Sequence, residues 1–170
     1  MATHQLSILG AGTVPDTTGR CFIEPYTVKA TNDVWAHLVL IFADPSAAQA
    51  HGVYGQFVVP QNYVGTAVVI PIWTSTATAG NCRWRFTYRA VGGDDAESLD
   101  QTTQSEQVLA TDAAPSAANE RNTPSMALTS ANIAAGDTIE FLFERLDDTG
   151  TDTMAAAAML HDLIFQYADA

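Results

Sequence analysis

The sequence predicts an all-β fold, a two-sheet antiparallel β-sandwich with about eight strands. Apolar and polar residues alternate with a period of two in several segments, most clearly in Cys82–Val91, and this period is typical of half-buried strands. Turn-forming residues separate nearly all of these segments. No amphipathic helical pattern lies between them, and this spacing favours a sandwich or a barrel.

The first segment, Met1–Gly19, has no regular period and is predicted to be an extended N-terminal arm. Gly10, Gly12 and Pro15 interrupt it, so it is too irregular for a helix and too broken for a long strand. We expect the arm to lie outside the core and to contact a neighbouring subunit. The alternative is a frayed terminus with no role. Residues 20–170 then form a single sandwich domain, a usual size for one core.

Eight segments between the arm and the final segment, Met154–Tyr167, are predicted to be strands. In chain order they are Arg20–Glu24, Val34–Phe42, Val53–Val59, Thr66–Trp73, Cys82–Val91, Gln107–Thr111, Ser125–Thr129 and Thr138–Leu146. Pro71 has no backbone N–H to donate, so we expect it at a sheet edge or at a bulge. Residues 91–122 lack periodicity apart from one weak strand, and we interpret them as one long excursion.

Cys82–Val91 is the clearest strand, because one of its faces is apolar and the other is basic. The apolar face is Cys82, Trp84, Phe86, Tyr88 and Ala90; the other face is Arg83, Arg85, Thr87 and Arg89. Seven acidic residues and no basic residue follow between Ala90 and Glu120. The basic face could therefore be neutralised within the chain or could contact another subunit.

The last segment, Met154–Tyr167, is compatible with two structures. Its alanines, methionines and leucine are good helix formers, but apolar and polar residues alternate towards its end. We prefer a long and mostly buried final strand, with the small alanines where the two sheets approach closely.

Composition limits the partners. Seven Lys and Arg residues stand against 19 Asp and Glu residues, a net charge of −12, which opposes binding to nucleic acid. No apolar stretch approaches the ~20 residues of a transmembrane helix, and no signal peptide is visible, so we expect a soluble protein without membrane contact. Charged residues make up only 15% of the chain, which favours burial of surface in an oligomer.

No catalytic, cofactor-binding or metal-binding residue is predicted, and we expect a protein that is not an enzyme. The motifs of hydrolases, nucleotide-binding proteins and zinc sites are missing. Cys21 and Cys82 are interpreted as half-buried free thiols. The four histidines are scattered, and those within predicted strands, His37 and His161, are interpreted as structural.

Acidic and aromatic side chains are two further candidates for ligand-binding groups. Two acidic runs could attract Ca²⁺ but lack the spacing of a calcium loop, so we interpret them as solvated turns. These runs are Asp94, Asp95, Glu97 and Asp100, and Asp147, Asp148 and Asp152. Aromatic side chains could form a platform for sugars, but most lie in the inward register and are interpreted as core. They are Trp35, Trp73, Trp84, Tyr54, Tyr63, Tyr88 and Tyr167.

A series of short motifs runs through about residues 53–168. They are Tyr63-Val64-Gly65-Thr66-Ala67, Ile72-Trp73-Thr74, Ala77-Thr78-Ala79-Gly80, Trp84-Arg85-Phe86-Thr87-Tyr88-Arg89, Ala134-Ala135-Gly136-Asp137, Phe143-Glu144-Arg145 with Asp147-Asp148, and Phe165-Gln166-Tyr167. With these motifs, this part of the chain resembles a family of small virion proteins of tailed bacteriophages. The resemblance implies a jelly-roll sandwich, often a homotrimer, that assembles on the outer surface of a virion after synthesis in the host cytoplasm. Its partner would be the major capsid protein or another virion protein.

Two functions follow as expectations. The first is a capsid decoration (cement) protein that stabilises the phage head through many weak contacts, with the N-terminal arm reaching the capsid. The alternative is a tail or head-fibre module that binds host-surface carbohydrate. An exposed aromatic cluster with a polar groove would favour the alternative, whereas a long arm and a flat apolar base would favour decoration.

Overall fold

A computed structural model describes most of the chain, and in this part the fold is entirely β apart from one short 3-10 helix, Ser130–Asn132. The described residues are 2–10, 13–15, 21–27, 36–43, 51–92, 106–146 and 150–169. In chain order their strands are β1 (Thr3–Ser7), β2 (Val14–Pro15), β3 (Cys21–Thr27), β4 (Ala36–Phe42), β5 (His51–Val58), β6 (Tyr63–Thr74), β7 (Asn81–Val91), β8 (Glu106–Ala113), β9 (Met126–Ala127), β10 (Thr138–Arg145) and β11 (Ala158–Asp169).

The strands form two antiparallel sheets that pack as a sandwich, which confirms the predicted fold class. The first sheet has the order β3-β4-β11-β6-β9, and β1 also pairs with β11. The second sheet has the order β2-β5-β10-β7-β8. Each predicted strand overlaps an observed one; β1 and β2 are additional strands, and β2 and β9 are only two residues long.

The core lies between the sheets and is rich in aromatic rings. Trp84 on β7 stacks on Phe143 of β10, with ring centroids 5.0 Å apart. The same indole meets Phe42 of β4 edge-on at 5.4 Å and Trp73 of β6 at 5.6 Å. The ring of Trp84 therefore joins both sheets, and the predicted inward register of β7 is confirmed.

Two arginines on the basic face of β7 pair with carboxylates of β10 within the chain. Arg85 lies directly opposite Glu144 on β10, and Arg89 lies opposite Glu140. Their guanidinium groups contact these carboxylates at 2.7 Å and 2.5 Å. Strand β10 thus supplies the negative charge for these two arginines.

The structure corrects the prediction of an N-terminal arm outside the core. Strand β1 pairs along its whole length with the second half of β11, and the N–H of Ile8 donates to the carbonyl of Leu163 at 2.8 Å. Ile8 is fully buried (0% exposed), and His4 stacks on Tyr167. Val14 and Pro15 also pair, with β5. Residues 1, 11, 12 and 16–19 of the predicted arm lie outside the described part of the chain.

Substitution of Ile8 by alanine tests this placement. We expect a loss of about 2–5 kcal/mol in the free energy of unfolding, the usual cost of removing a buried aliphatic side chain. Gln5→Ala is the matched control on the adjoining strand β1, since Gln5 is exposed and its side-chain amide donates to the side-chain oxygen of Gln166. Urea denaturation measures both. Equal, small losses would mean that Ile8 contributes nothing to the core.

The final strand and Pro71 both follow the sequence-based expectation. Ala158–Asp169 is a strand and not a helix, although Met154–Ala157 precedes it as a loop.

Pro71 lies in β6, where pairing on the β9 side is interrupted. Strand β9 pairs with Val68 and Val69, and the next pairing on this side is the bridge between Trp73 and Asn122. Alternate residues of a strand direct their N–H groups to the same edge. The missing N–H of Pro71 therefore falls in a gap of the ladder.

A buried ion pair fixes the loop that precedes β11. The guanidinium of Arg145 contacts Asp152 at 2.8 Å, and the two side chains are 0% and 1% exposed. Arg145 also donates to the carbonyl oxygens of Met154 and Ala156, each at 2.6 Å. Asp152, considered above as part of an acidic run, thus has a structural role; the other residues of both runs lie outside the described part.

Both cysteines are free, as predicted, but they are buried rather than half-buried. Burial is the main cause that raises the pKa of the Cys82 thiol well above its ordinary value. The thiol therefore stays protonated and unreactive near neutral pH.

Candidate functional site

The outer face of the first sheet carries two adjoining depressions that meet at His161 and Asp162. The larger has a volume of about 400 Å³ and the smaller about 270 Å³. Besides His161 and Asp162, the larger one is lined by His37, Ile72, Thr74, Asn119 and Arg121. The smaller one is bordered by β3, β4 and the end of β1. We call the larger depression the His161 groove.

A β-bulge in β11 creates the centre of the groove. Leu160 pairs with Trp73 on β6, whereas Asp162 pairs with the next residue, Ile72, so that His161 is the extra residue. A bulge bends the strand and re-aims the side chains beside it. Two consecutive polar side chains, His161 and Asp162, therefore line one surface depression.

Asp162 is held in place by hydrogen bonds. One carboxylate oxygen, Oδ1, accepts from the hydroxyl of Ser7 at 2.6 Å and from the N–H of Leu163 at 2.8 Å. Ser7 belongs to β1, so the strand that the sequence did not predict helps to build the site.

His161 and His37 form a pair across β11 and β4. Their ring centroids are 5.4 Å apart and the rings meet edge-on. Burial is the main cause that lowers the pKa of His161, and Coulomb interactions with His37 and Arg121 lower it further. His161 is therefore a neutral imidazole at neutral pH, with one nitrogen that donates a hydrogen bond and one that accepts.

A rigid loop after β8 places Asn119 and Arg121 at the groove. The hydroxyl of Thr74 donates to the carbonyl of Glu120 at 2.6 Å, and the N–H of Asn119 donates to the carbonyl of Ser75 at 2.9 Å. The backbones of Asn122 and Trp73 exchange two hydrogen bonds. These bonds fix the loop on both sides of Arg121.

The sequence predicts only part of this site. His37 and His161 are each interpreted as structural from the sequence, whereas the structure brings them together on the surface. Asn119, Arg121 and Asp162 were not predicted, and their signal was weak because the bulge and the loop hydrogen bonds leave no local pattern. His4 does not line the groove and instead forms a hydrogen bond with the carboxylate of Asp169. The side chain of His51 is outside the described part.

The aromatic residues behave mostly as predicted. Trp73, Trp84, Tyr63, Tyr88 and Tyr167 are buried. Tyr54 is the exception at 53% exposed, in the outward register of the second sheet opposite Leu142. Trp35 lies outside the described residues. The described residues thus show a polar groove but no exposed aromatic cluster.

The described part of the chain meets neither the requirements of a metal site nor those of a membrane-spanning helix. It contains no group of three or more His, Cys, Asp or Glu residues that could hold a metal ion. It also contains no helix long and apolar enough to span a membrane.

Solved structures with a similar fold are carbohydrate-binding modules. The CBM22-1 xylan-binding domain of Paenibacillus barcinonensis Xyn10C matches with a TM-score of 0.52 and 15% identity, over 98% of this chain and 94% of that one. A family 35 carbohydrate binding module from Clostridium thermocellum gives 0.51 and 13%, over 97% and 98%. A CBM35 from Paenibacillus barcinonensis gives 0.51 and 11%, also over 97% and 98%. Comparisons with protein-family models and with curated proteins find no match.

These comparisons correct one prediction and agree with another. The predicted function as a capsid decoration protein is wrong, because the three similar structures named above, which match nearly the whole chain, are carbohydrate-binding modules. The same modules are non-catalytic domains, in agreement with the prediction that this chain is not an enzyme.

Proposed function

We propose that this chain is a non-catalytic carbohydrate-binding module and that the His161 groove holds the sugar. The observation that carries this proposal is an open depression of about 400 Å³ with hydrogen-bonding side chains from three strands and one fixed loop. Ligand sites generally combine a concave surface with a few well-placed polar groups. The fold shared with known modules supports the same function.

The chemistry of the groove suits sugar hydroxyl groups. Neutral His161 offers a donor and an acceptor, and Asn119 and Asp162 add an amide and a carboxylate. Ile72 supplies an apolar patch for the C–H groups of a sugar ring. Because the bulge and the loop bonds fix these groups beforehand, little conformational entropy is lost on binding.

The phage context remains a separate proposal. The alternative named above, a tail or head-fibre module that binds host-surface carbohydrate, is compatible with this function. Trimer formation and a place on the virion also remain predictions. Analytical ultracentrifugation of the purified chain tests the first of these.

A binding experiment with matched variants tests the proposed function. The chain is applied to a glycan array and to native gels containing neutral polysaccharides. We expect His37→Ala to weaken binding about three- to tenfold, the loss of one or two neutral hydrogen bonds. Tyr54→Ala is the control, since Tyr54 is exposed on the opposite sheet, and its affinity should equal that of the wild type.

Two results would contradict the assignment. Loss of binding in Tyr54→Ala with full binding in His37→Ala would place the sugar on the second sheet. No binding to any saccharide would remove the function itself.

A further inference from the structure

We propose that the His161 groove takes an acidic saccharide, whose carboxylate or sulfate group lies among Arg121, His37 and His161. This inference rests on the proposed function and specifies its substrate class.

The charge distribution supports an anionic ligand. The chain has a net charge of −12 with only seven Lys and Arg residues, yet one of those arginines stands beside two histidines at a surface depression. Arg85, Arg89 and Arg145 each pair with a carboxylate. Within the described part of the chain, no ion pair engages Arg121, so its guanidinium is available for a bidentate contact with an anion.

The acidic group in the groove, Asp162, offsets the charge of Arg121, and protonation of His161 then makes the cluster positive. Oδ1 of Asp162 already accepts two hydrogen bonds, from Ser7 and Leu163. The other described lining residues of the groove, Ile72, Thr74 and Asn119, carry no charge. The groups that face His161 are therefore His37 from β4, Arg121 from the loop and Asp162 on its own strand.

The histidine pair makes anion binding dependent on pH. In the empty groove, burial holds the pKa of His161 below its usual value of 6.5, and the neighbouring His37 and Arg121 lower it further. An anion placed among Arg121, His37 and His161 would favour the protonated imidazole of His161 and raise this pKa. The complex then binds more protons than the free protein, so affinity for the anion rises as the pH falls through the histidine range.

Charged and neutral polysaccharides in native gels test the proposal. The probes are polygalacturonate for carboxylates, carrageenan for sulfate esters, and neutral galactan. The negative protein is repelled by both polyanions at a distance, so retardation by them reports a specific site. We expect at least about fivefold tighter binding to one polyanion at pH 5.5 than at pH 8.0, and retardation by only one of them would identify the anionic group.

Matched variants separate the groove from general charge effects. Arg121→Gln should lose at least about tenfold in affinity for the polyanion, the scale of a lost charged contact. Arg85→Gln removes the same charge from the opposite sheet and should bind like the wild type. Histidine NMR adds a direct readout: 50 mM glucuronate or inorganic sulfate should raise the pKa of the His161 imidazole.

The outcomes separate this inference from the proposed function. Groove-dependent binding of neutral galactan that equals or exceeds polyanion binding would overturn the acidic-saccharide proposal and leave the carbohydrate-binding function intact. Equal polyanion binding by Arg121→Gln and wild type would also overturn it. If the pKa of His161 responds to sulfate while no polysaccharide is retarded, the groove is a site for small anions. This result would overturn both the acidic-saccharide proposal and the proposed carbohydrate-binding function.

Discussion

Replacement of Arg145 by alanine is expected to lower the free energy of unfolding by about 3–5 kcal/mol, the usual loss when one partner of a buried ion pair is removed. Asp152 would remain 1% exposed without its partner. The carbonyl oxygens of Met154 and Ala156 would lose their donor in the same step. Since these residues lead into β11, the central strand of the first sheet, the loss affects the whole domain. Urea denaturation followed by tryptophan fluorescence measures it.

A double-mutant cycle shows whether the cost comes from the unpaired charge. Removing both partners, as in Arg145→Met with Asp152→Leu, leaves no buried charge and should cost clearly less than Arg145→Ala alone. If the double variant loses as much as the sum of the two single variants, the pair does not act as a unit. A loss below about 1 kcal/mol for Arg145→Ala would mean that the ion pair is solvated.

The parts of the fold that the sequence predicts are those with long and regular patterns. The aromatic alternation of β7 spans ten residues in the prediction and 11 in the structure, and it correctly predicts which side chains enter the core. Strand β1 has five residues, too few for a period to stand out among the glycines that follow. Strand β1 is held in place by its pairing with β11, which lies near the other end of the sequence. For example, His4 and its hydrogen-bond partner Asp169 are 165 positions apart in the chain. Local sequence carries no signal for that pairing.

The candidate site is harder to predict for the same reason. His37 and His161 both lie in predicted strands, but their contact exists only because β4 and β11 are neighbours in the sheet. Arg121 reaches the groove because Thr74 and Ser75 hold the loop around it. The composition does predict a chain with few cations. It cannot predict that one of them lies beside two histidines, since this depends on sheet order.

Replacement of Trp84 by alanine is expected to destabilise the domain by about 3–5 kcal/mol, the usual cost of truncating a buried aromatic side chain. Trp84 is fully buried and contacts rings from both sheets, with Phe143 on its own sheet and Phe42 and Trp73 on the other. Its removal would leave a cavity in the middle of the sandwich, where neither sheet can move inward without disturbing its strand pairing.

The neighbouring residue provides the matched control for this prediction. Arg85 lies on the outer face of the same strand and pairs with Glu144, with side chains 28% and 8% exposed, so Arg85→Ala should cost about 1–3 kcal/mol, the scale of leaving one buried polar partner unpaired. Both variants are compared by urea denaturation at equal protein concentration. If Trp84→Ala loses no more stability than Arg85→Ala, the packing of Trp84 between the sheets contributes no more than one ion pair on the outer face of the same strand.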